Sequence, residues 1–341
     1  MRQSLATPQT RSVPVVRRTV ATALSSAGVT RECVGEVAVA LSEACIRPAP
    51  DSTAGILRLV RRDQLPPNAR HTFVLGRHRI VYVSTPKVAC TSLKWVIASM
   101  AGEDADVFRR ATSSTKTWPA SIHRRRLWRR VPTLHSLPED QLAEIDAANG
   151  WHVFAVVRHP TSRLWSAWQQ KLLPRVPHTI AQVPAHLVPP VPRTADDVVE
   201  GFRRFVAGLA AGECSELLRD NGHFRAQSDL LVPERMPYTR IYTLGDMDLV
   251  MADLNARVRA VGGDPVQVPP PGNQSTLKPQ RSMFTPEVLA AIRDAYRADF
   301  ERWFPDAEVM PADVLDDDHY PASVLAEIRR LGEREGSVAR H

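Results

Sequence analysis

The chain has 341 residues, of which 43% are hydrophobic and 24% are charged, the composition of a soluble globular protein with one large domain and appendages. No apolar run approaches the roughly 20 residues that span a bilayer, and no apolar signal segment stands at the N-terminus. The four cysteines lack metal-site and disulfide spacing, so the sequence predicts a cytoplasmic protein without a metal. The net charge of +7 favours anionic ligands, although a solvated basic surface explains it equally well.

Residues 1–70 are expected to form a helical N-terminal extension. Within it, residues 15–46 have helical periodicity in two pieces. They resemble the opening helices of the anti-sigma-factor type of histidine-kinase-like ATPases, which end in an E-A-C-T-N motif. Residues 43–47 read EACIR, so Arg47 stands where that motif has its magnesium-binding asparagine, and no ATP site is expected.

The most informative segment is 79–100, in which the apolar run 80–83 precedes a polar turn and an amphipathic continuation. This order predicts a strand, a loop and a helix. The free N–H groups and the positive dipole end of a first helical turn bind anions, and Lys87 adds a full charge beside the hydroxyls of Thr91 and Ser92. The loop lacks the glycines of GxxxxGK[ST], so an anion other than a nucleoside triphosphate is expected.

A second strand, loop and helix are predicted within 152–173. The apolar run 153–157 is typical of a parallel strand that is covered on both faces, and it ends at Arg158. Ser166 lies about two turns into the helix that follows. Ligands of open α/β sheets bind at the carboxyl ends of the strands, where a guanidinium can grip a phosphate in bidentate fashion. Pairing of Arg158 and Arg163 with surface carboxylates is the alternative to an anion site.

The segment 123–130, HRRRLWRR, is a basic run with an interleaved tryptophan. Such a run binds nucleic acid through phosphate contacts and stacking, or it attracts an anionic acceptor to the rim of a site. No nucleic-acid-binding module accompanies the run, so the second interpretation is favoured.

The rest of the chain predicts further elements of an α/β fold around these two units. A long loop over 174–192 is rich in proline and is a candidate substrate cover. The main domain is expected over 71–305, followed by a C-terminal tail with a weak helix over 306–341. Further helices or strands are predicted at 138–149, 196–210, 239–243, 246–261 and 286–304.

Two motifs carry a resemblance to a known family. Residues 86–94, PKVACTSLK, closely resemble the 5′-phosphosulfate-binding loop of the sulfotransferases of the carbohydrate 4-O and HNK-1 type. Residues 157–168, VRHPTSRLWSAW, resemble their 3′-phosphate-binding motif, and both motifs stand in the order of the family. Similar segments at 221–224, 242–254 and 296–300 extend the resemblance over residues 70–305.

The resemblance implies a P-loop-like three-layer fold, with a central, mainly parallel sheet flanked by helices. It also implies 3′-phosphoadenosine 5′-phosphosulfate (PAPS) as the sulfuryl donor. Lys87 would bind the 5′-phosphate and the bridging oxygen, whereas Arg158 and Ser166 would hold the 3′-phosphate. Lys278 or Arg281 would close over the nucleotide. The rest of the 5′-phosphosulfate cradle would consist of Pro86, Val88, Ala89, Cys90, Thr91 and Ser92.

A general base must take the proton of the acceptor hydroxyl, because the pKa of that hydroxyl lies far above neutrality, and histidine titrates in a suitable range. His135 precedes the second strand, at about the place where the more distant heparan 2-O-sulfotransferases keep a histidine base. His223 stands in a turn that resembles the N-x-H turn of the family. The sequence favours His135 by a small margin. His159 lies inside the 3′-phosphate motif, where relatives accept Asp or Glu, so no base role is expected for it.

The chain departs from the eukaryotic members, which carry a membrane anchor and cysteine pairs. It is therefore expected to be a bacterial, cytoplasmic member that acts on a hydroxyl of a glycan, a glycolipid or a secondary metabolite, an anionic acceptor included. Two other functions stay open. One is an ATP-dependent small-molecule kinase, for which the Walker glycines and a magnesium carboxylate are missing. The other is a basic, non-catalytic nucleic-acid-binding or regulatory protein.

Overall fold

The computed structural model describes residues 60–111, 118–268, 277–316 and 320–338. The helical pieces predicted within the N-terminal extension lie outside the described residues, as does the first part of the polar loop that leads to Lys278. Within the described ranges, no helix combines the length and the apolar character that crossing a membrane requires.

A four-stranded sheet lies at the centre of the described chain. In chain order and in spatial order its strands are β1 (Thr72–Leu75), β2 (Ile80–Val83), β3 (His152–Val157) and β4 (Arg240–Thr243). β1 pairs antiparallel with β2, whereas β2, β3 and β4 are parallel to one another. Every residue of β2 and β3 is buried, as expected for strands that are covered on both faces.

The described ranges contain twelve α-helices. α1 follows β2 and α4 follows β3, so both predicted strand, loop and helix units are present. In chain order the helices are α1 (Cys90–Met100), α2 (Ala105–Arg110), α3 (Glu139–Ala143), α4 (Pro160–Lys171), α5 (Pro177–Ile180), α6 (Ala195–Ala210), α7 (Ser215–Asp220), α8 (Gln227–Leu231), α9 (Met247–Ala260), α10 (Pro286–Ala295), α11 (Arg297–Trp303) and α12 (Ala322–Val338).

Alternate residues of each strand pack into different layers, because successive side chains of a strand point to opposite faces. Ile80 and Tyr82 pack with α1 and α9 in one hydrophobic cluster. Val81 and Val83 pack with the segment 134–145, which contains α3, in another. The α/β class and the mainly parallel sheet flanked by helices are thereby confirmed.

A further core lies around α4. Trp165 and Trp168 of α4 stack with ring centroids 5.4 Å apart, and Phe202 of α6 packs edge-on against both rings. α10 and α11 join this cluster, as do Leu325 and Ile328 of α12. These contacts hold α4 in place, and α4 carries one half of the candidate site.

Several elements differ from the sequence prediction. The sequence does not predict β1, because four residues between two 3-10 turns carry too little periodicity. The helix predicted at 138–149 is only the short α3 and a separate 3-10 turn. The helix predicted at 286–304 breaks at Tyr296, where φ is −121° and ψ is 29°. At this break the Tyr296 hydroxyl donates to the carbonyl oxygen of Phe224 at 2.7 Å.

Candidate active site

The loop between β2 and α1, here called the 84–89 loop, presents a lysine and the free N–H groups of a helix. Lys87 and Ala89 adopt left-handed backbone conformations, with φ of 72° and 58°. Such conformations cost a non-glycine residue about 1–2 kcal/mol and concentrate at ligand sites. No side chain caps the N-terminus of α1. The first-turn N–H groups, which begin at Cys90, are therefore left for a ligand or for solvent.

This loop opens on to a cavity of about 1060 Å³. Its lining also includes residues from α1, α4 and α5, from the segment before β1, from the segment 120–123 and from the turn after α7. A cavity of this size accepts a ligand as large as a nucleotide. The sequence-predicted site residues that line it are Pro86, Lys87, Ala89, Cys90, Thr91, Ser92, Arg158, Ser166 and His223.

The half-buried Lys87 ammonium lines this cavity and donates to Oε1 of Gln170 on α4. Burial lowers the pKa of Lys87 to about 7; Cys90 opposes the shift, and the positive charges of Lys171 and two arginines add to it. A buried cation among other cations is costly. An anion bound beside Lys87 would offset that cost.

Arg158 reaches the same cavity from the carboxyl end of β3. Its backbone N–H donates to Oε1 of Gln227 at 2.9 Å, and its carbonyl oxygen accepts from Nε2 of Gln227 at 2.9 Å. Asp299 holds Gln227 in turn, because the backbone N–H of Gln227 donates to the buried Asp299 carboxylate at 2.8 Å. The Arg158 guanidinium lies 3.4 Å from the carbonyl oxygen of Lys87, so the two cations are neighbours. Ser166 of α4 lines the cavity beside them.

His223 lines the cavity from the turn after α7, here called the 221–225 turn. Its Nδ1 lies 3.1 Å from Oδ1 of Asn221, and because that oxygen only accepts, Nδ1 carries the proton and Nε2 keeps its lone pair. Nδ2 of Asn221 donates to Oε1 of Gln182 at 2.8 Å, which fixes the orientation of the amide. Burial lowers the pKa of His223 well below 6.5, and Lys171 and Lys87 add to the shift. The ring is therefore neutral at pH 7 and can accept a proton at Nε2.

Lys87, Arg158, Ser166 and His223 all lie in the part of the chain that matches a known family. The family model described as Sulfotransferase family matches residues 70–304, more than half of the chain. The chain is a member of the sulfotransferase family. It is therefore a transferase that moves a sulfuryl group. No curated protein and no solved structure matches the chain.

Sequence reasoning missed several polar groups in the cavity of this sulfotransferase. Nε2 of His123 lies 2.9 Å from Oγ1 of Thr91, and Nδ1 of His123 lies 3.0 Å from Nζ of Lys94. His123 thereby joins the basic segment 123–130 to α1. Gln170 lies four residues after Ser166 on α4. Residues at this spacing share one face of a helix, and that spacing is the signal that identifies Gln170.

Some predicted site residues lie elsewhere in the sulfotransferase. His135 is exposed and does not line the cavity. Lys278 and Arg281 are exposed outside it as well, and Arg281 pairs with Asp316 at 2.7 Å. The Val88 side chain is buried in the core, so only its backbone can belong to the cradle. The roles assigned to His135, Lys278 and Arg281 stay predictions, and the geometry lends them no support.

The basic segment 123–130 packs against the core of the sulfotransferase. Trp128 is buried against Phe73 and Phe108, and its Nε1 donates to the carbonyl oxygen of Ile122 at 2.9 Å. Trp128 is therefore not placed to stack on a nucleic-acid base. The nucleic-acid interpretation loses the aromatic group on which it depended.

Proposed function

We propose that the protein is a PAPS-dependent O-sulfotransferase. The observation that carries the proposal is one cavity lined by two cations that follow neighbouring strands, Lys87 and Arg158, and by His223, whose pKa is lowered by burial. The acceptor would be a hydroxyl of a glycan, a glycolipid or a secondary metabolite. Its identity depends on loops around the cavity.

The lining of the cavity fits a donor that carries anionic groups at two ends. One set of donors consists of the uncapped N-terminus of α1 and the half-buried Lys87 ammonium. A second set, which follows the neighbouring strand, consists of the Arg158 guanidinium and the Ser166 hydroxyl. Two sets of donors suit a nucleotide with both a 3′-phosphate and a 5′-phosphosulfate better than they suit the single phosphate chain of ATP. When bound, PAPS supplies the activated sulfuryl group.

Lys87 would stabilise the charge that builds on the 5′-phosphate as the sulfuryl group leaves. Its ammonium is held in advance by Gln170 in a half-buried position, where electrostatic interactions are stronger than in water. A phosphate beside it raises its pKa again, because a nearby anion favours the charged form. Lys87 would therefore be protonated when the donor is bound.

His223 would be the general base. Nε2 would take the proton of the acceptor hydroxyl, while the Nδ1–H bond to Asn221 keeps the ring in one orientation and stabilises its positive charge. The sequence favours His135 for this role, but of the two histidines His223 is the one that lines the cavity. Placement at the cavity is a condition that a base must meet before its pKa matters.

The proposal includes a P-loop-like fold. The order of β2, the 84–89 loop and α1 is that of a P-loop-like fold without its glycines, which supports that description. A cytoplasmic location, a bacterial origin and a mechanism without a metal are proposed from the sequence alone.

Calorimetric titration with adenosine 3′,5′-bisphosphate, the desulfated product, tests the proposal beside ATP with magnesium. The wild type should bind the bisphosphate more tightly than ATP. Lys87→Ala and Arg158→Ala should each weaken bisphosphate binding by about 10- to 100-fold, because a charge-assisted hydrogen bond contributes about 1.5–3 kcal/mol.

Arg109→Ala is the matched control, because it removes an exposed cation that does not line the cavity. Its bisphosphate affinity should equal that of the wild type. Tighter binding of ATP, or affinities that all three variants leave unchanged, would contradict the proposal, and the first result would favour a kinase.

A further inference from the structure

Arg163 of α4 is a buried cation to which the proposed chemistry assigns no part. Its side chain is 1% exposed, and it is not among the residues that line the cavity. Burying a guanidinium costs several kcal/mol unless its N–H groups find good hydrogen-bond acceptors. The hydrogen-bond acceptors of the Arg163 guanidinium offset this cost and indicate the role of the residue.

The Arg163 guanidinium joins the two loops that carry Lys87 and His223. Nε donates to the carbonyl oxygen of Pro86, in the 84–89 loop, at 3.1 Å. Nη1 and Nη2 donate to the carbonyl oxygens of Arg225 and Gly222, in the 221–225 turn, at 2.8 Å each. One planar group therefore bonds to both loops at once.

The two loops also lie close to each other. A methyl group placed on Gly222 would lie 3.8 Å from Cγ of Pro86, which is ordinary van der Waals contact. At the break between α10 and α11, the Tyr296 hydroxyl donates to the carbonyl oxygen of Phe224 at 2.7 Å. The turn is thus fixed to the core by Tyr296, whereas Arg163 bonds it to the 84–89 loop.

We propose that Arg163 is a positioning residue that sets the separation between Lys87 and His223. The inference rests on the proposed function, which assigns these two residues to the donor and to the base. Lysine cannot replace Arg163 here, because an ammonium lacks the planar fork that reaches three carbonyl oxygens in fixed directions. Loss of the fork should therefore disturb both loops even when a positive charge is kept.

Arg163→Lys and Arg163→Gln test the inference with two measurements. In NMR spectra of protein with ¹⁵N-labelled histidine, the His223 ring, assigned by its loss in His223→Gln, should show the Nδ1–H tautomer in the wild type. Both variants should show a mixture of tautomers, because His223 is no longer held against Asn221. Calorimetry should show bisphosphate binding weakened about tenfold, because the backbone beside Lys87 has lost its anchor.

Leu164→Val is the matched control. Leu164 is the next residue of α4, is 1% exposed and packs in the core away from the cavity. This variant should lower the melting temperature without changing the His223 tautomer or the bisphosphate affinity. A structural role alone would make all three variants behave alike.

The measurements distinguish failure of the role assigned to Arg163 from failure of the proposed function. An unchanged His223 tautomer in the Arg163 variants, or an equal change in Leu164→Val, would overturn the inference. Failure of both Arg163 variants to fold would assign Arg163 to stability alone and would overturn it too. Failure of the wild type to bind the bisphosphate would instead contradict the proposed function.

Discussion

Lys87 and His223 occupy an environment that disfavours positive charge. Burial is the main cause of the lowered pKa of each side chain, and the charge of Lys87 also lowers the pKa of His223. In the proposed function, the lysine near its titration point would bind an anion and the neutral histidine would accept a proton. Their protonation should therefore respond to the donor, and the response can be measured.

The affinity for adenosine 3′,5′-bisphosphate should fall as the pH rises above about 7. Free Lys87, with a pKa of about 7, loses its proton in this range, whereas bound phosphate favours the ammonium, so binding takes up a proton. The affinity should fall by up to about tenfold per pH unit. Calorimetry in two buffers of different ionisation enthalpy measures the uptake. Lys87→Ala should lose it, and a wild type without proton uptake at pH 8 would contradict the account of Lys87.

His223→Gln should slow sulfuryl transfer by about 100- to 10,000-fold, the usual contribution of a general base. The measurement is transfer from ³⁵S-labelled PAPS to a panel of sugars and phenols, with bisphosphate affinity measured in parallel and expected to change little. His135→Gln is the control, because His135 is exposed outside the cavity, and both of its values should match the wild type. A loss of transfer in His135→Gln alone would restore the preference drawn from the sequence.

The residues of the two motifs are predictable from sequence, whereas the choice of base is not. Lys87 and Arg158 each follow an apolar strand run, so local pattern alone places them at the strand ends. Whether His135 or His223 lines the cavity depends on how distant segments pack. His123 meets Thr91 through the same kind of tertiary contact, and a single sequence carries no signal for it.

At the scale of elements, predictability follows length and periodicity. Apolar runs and periodic patterns in the sequence are sufficient to identify β2, β3, α4 and α6. The four-residue β1 and the break at Tyr296 are tertiary effects, since β1 exists by pairing with β2 and the break accompanies the Tyr296 hydrogen bond to Phe224. Neither β1 nor the break at Tyr296 can be recognised from the local sequence.

The N-terminus of α1 depends on left-handed backbone at Ala89, and substitution there should separate backbone strain from function. Ala89→Val should lower the free energy of unfolding by about 1 kcal/mol or more and weaken bisphosphate binding, because a β-branched residue tolerates positive φ poorly. Ala89→Gly should leave both nearly unchanged, because relief of the backbone cost offsets the added chain entropy. Urea unfolding and calorimetry measure the two quantities. Equal behaviour of the two variants would show that the left-handed conformation is unimportant.

At the scale of the whole molecule, the site is supported by helices far along the chain. The Asp299 carboxylate of α11 accepts hydrogen bonds from the backbone N–H groups of Gln227 and Ser228 at 2.8 and 2.7 Å. The side-chain amide of Gln227 in turn bonds to the backbone N–H and the carbonyl oxygen of Arg158. The position of the Arg158 backbone therefore depends on α11. The domain limits predicted at 71 and 305 stay predictions, and Leu325 of α12 packs in the core with α4.

Asp299→Ala should lower the free energy of unfolding by about 3 kcal/mol, because it leaves buried N–H groups without an acceptor. Bisphosphate affinity should fall as well, because Gln227 no longer fixes Arg158. Urea unfolding measures the first effect and calorimetry the second. Asp294→Ala is the control: Asp294 pairs with Arg297 at the surface, so its loss should cost less than about 1 kcal/mol. A similar cost in both variants would contradict the support assigned to Asp299.

The central claim is that one cavity holds both ends of the donor, and a crystal structure with adenosine 3′,5′-bisphosphate tests it most directly. The account predicts the 5′-phosphate at Lys87 and the N-terminus of α1, and the 3′-phosphate at Arg158 and Ser166. A nucleotide bound outside this cavity, or one bound in the reverse orientation with its 3′-phosphate at Lys87, would contradict the account.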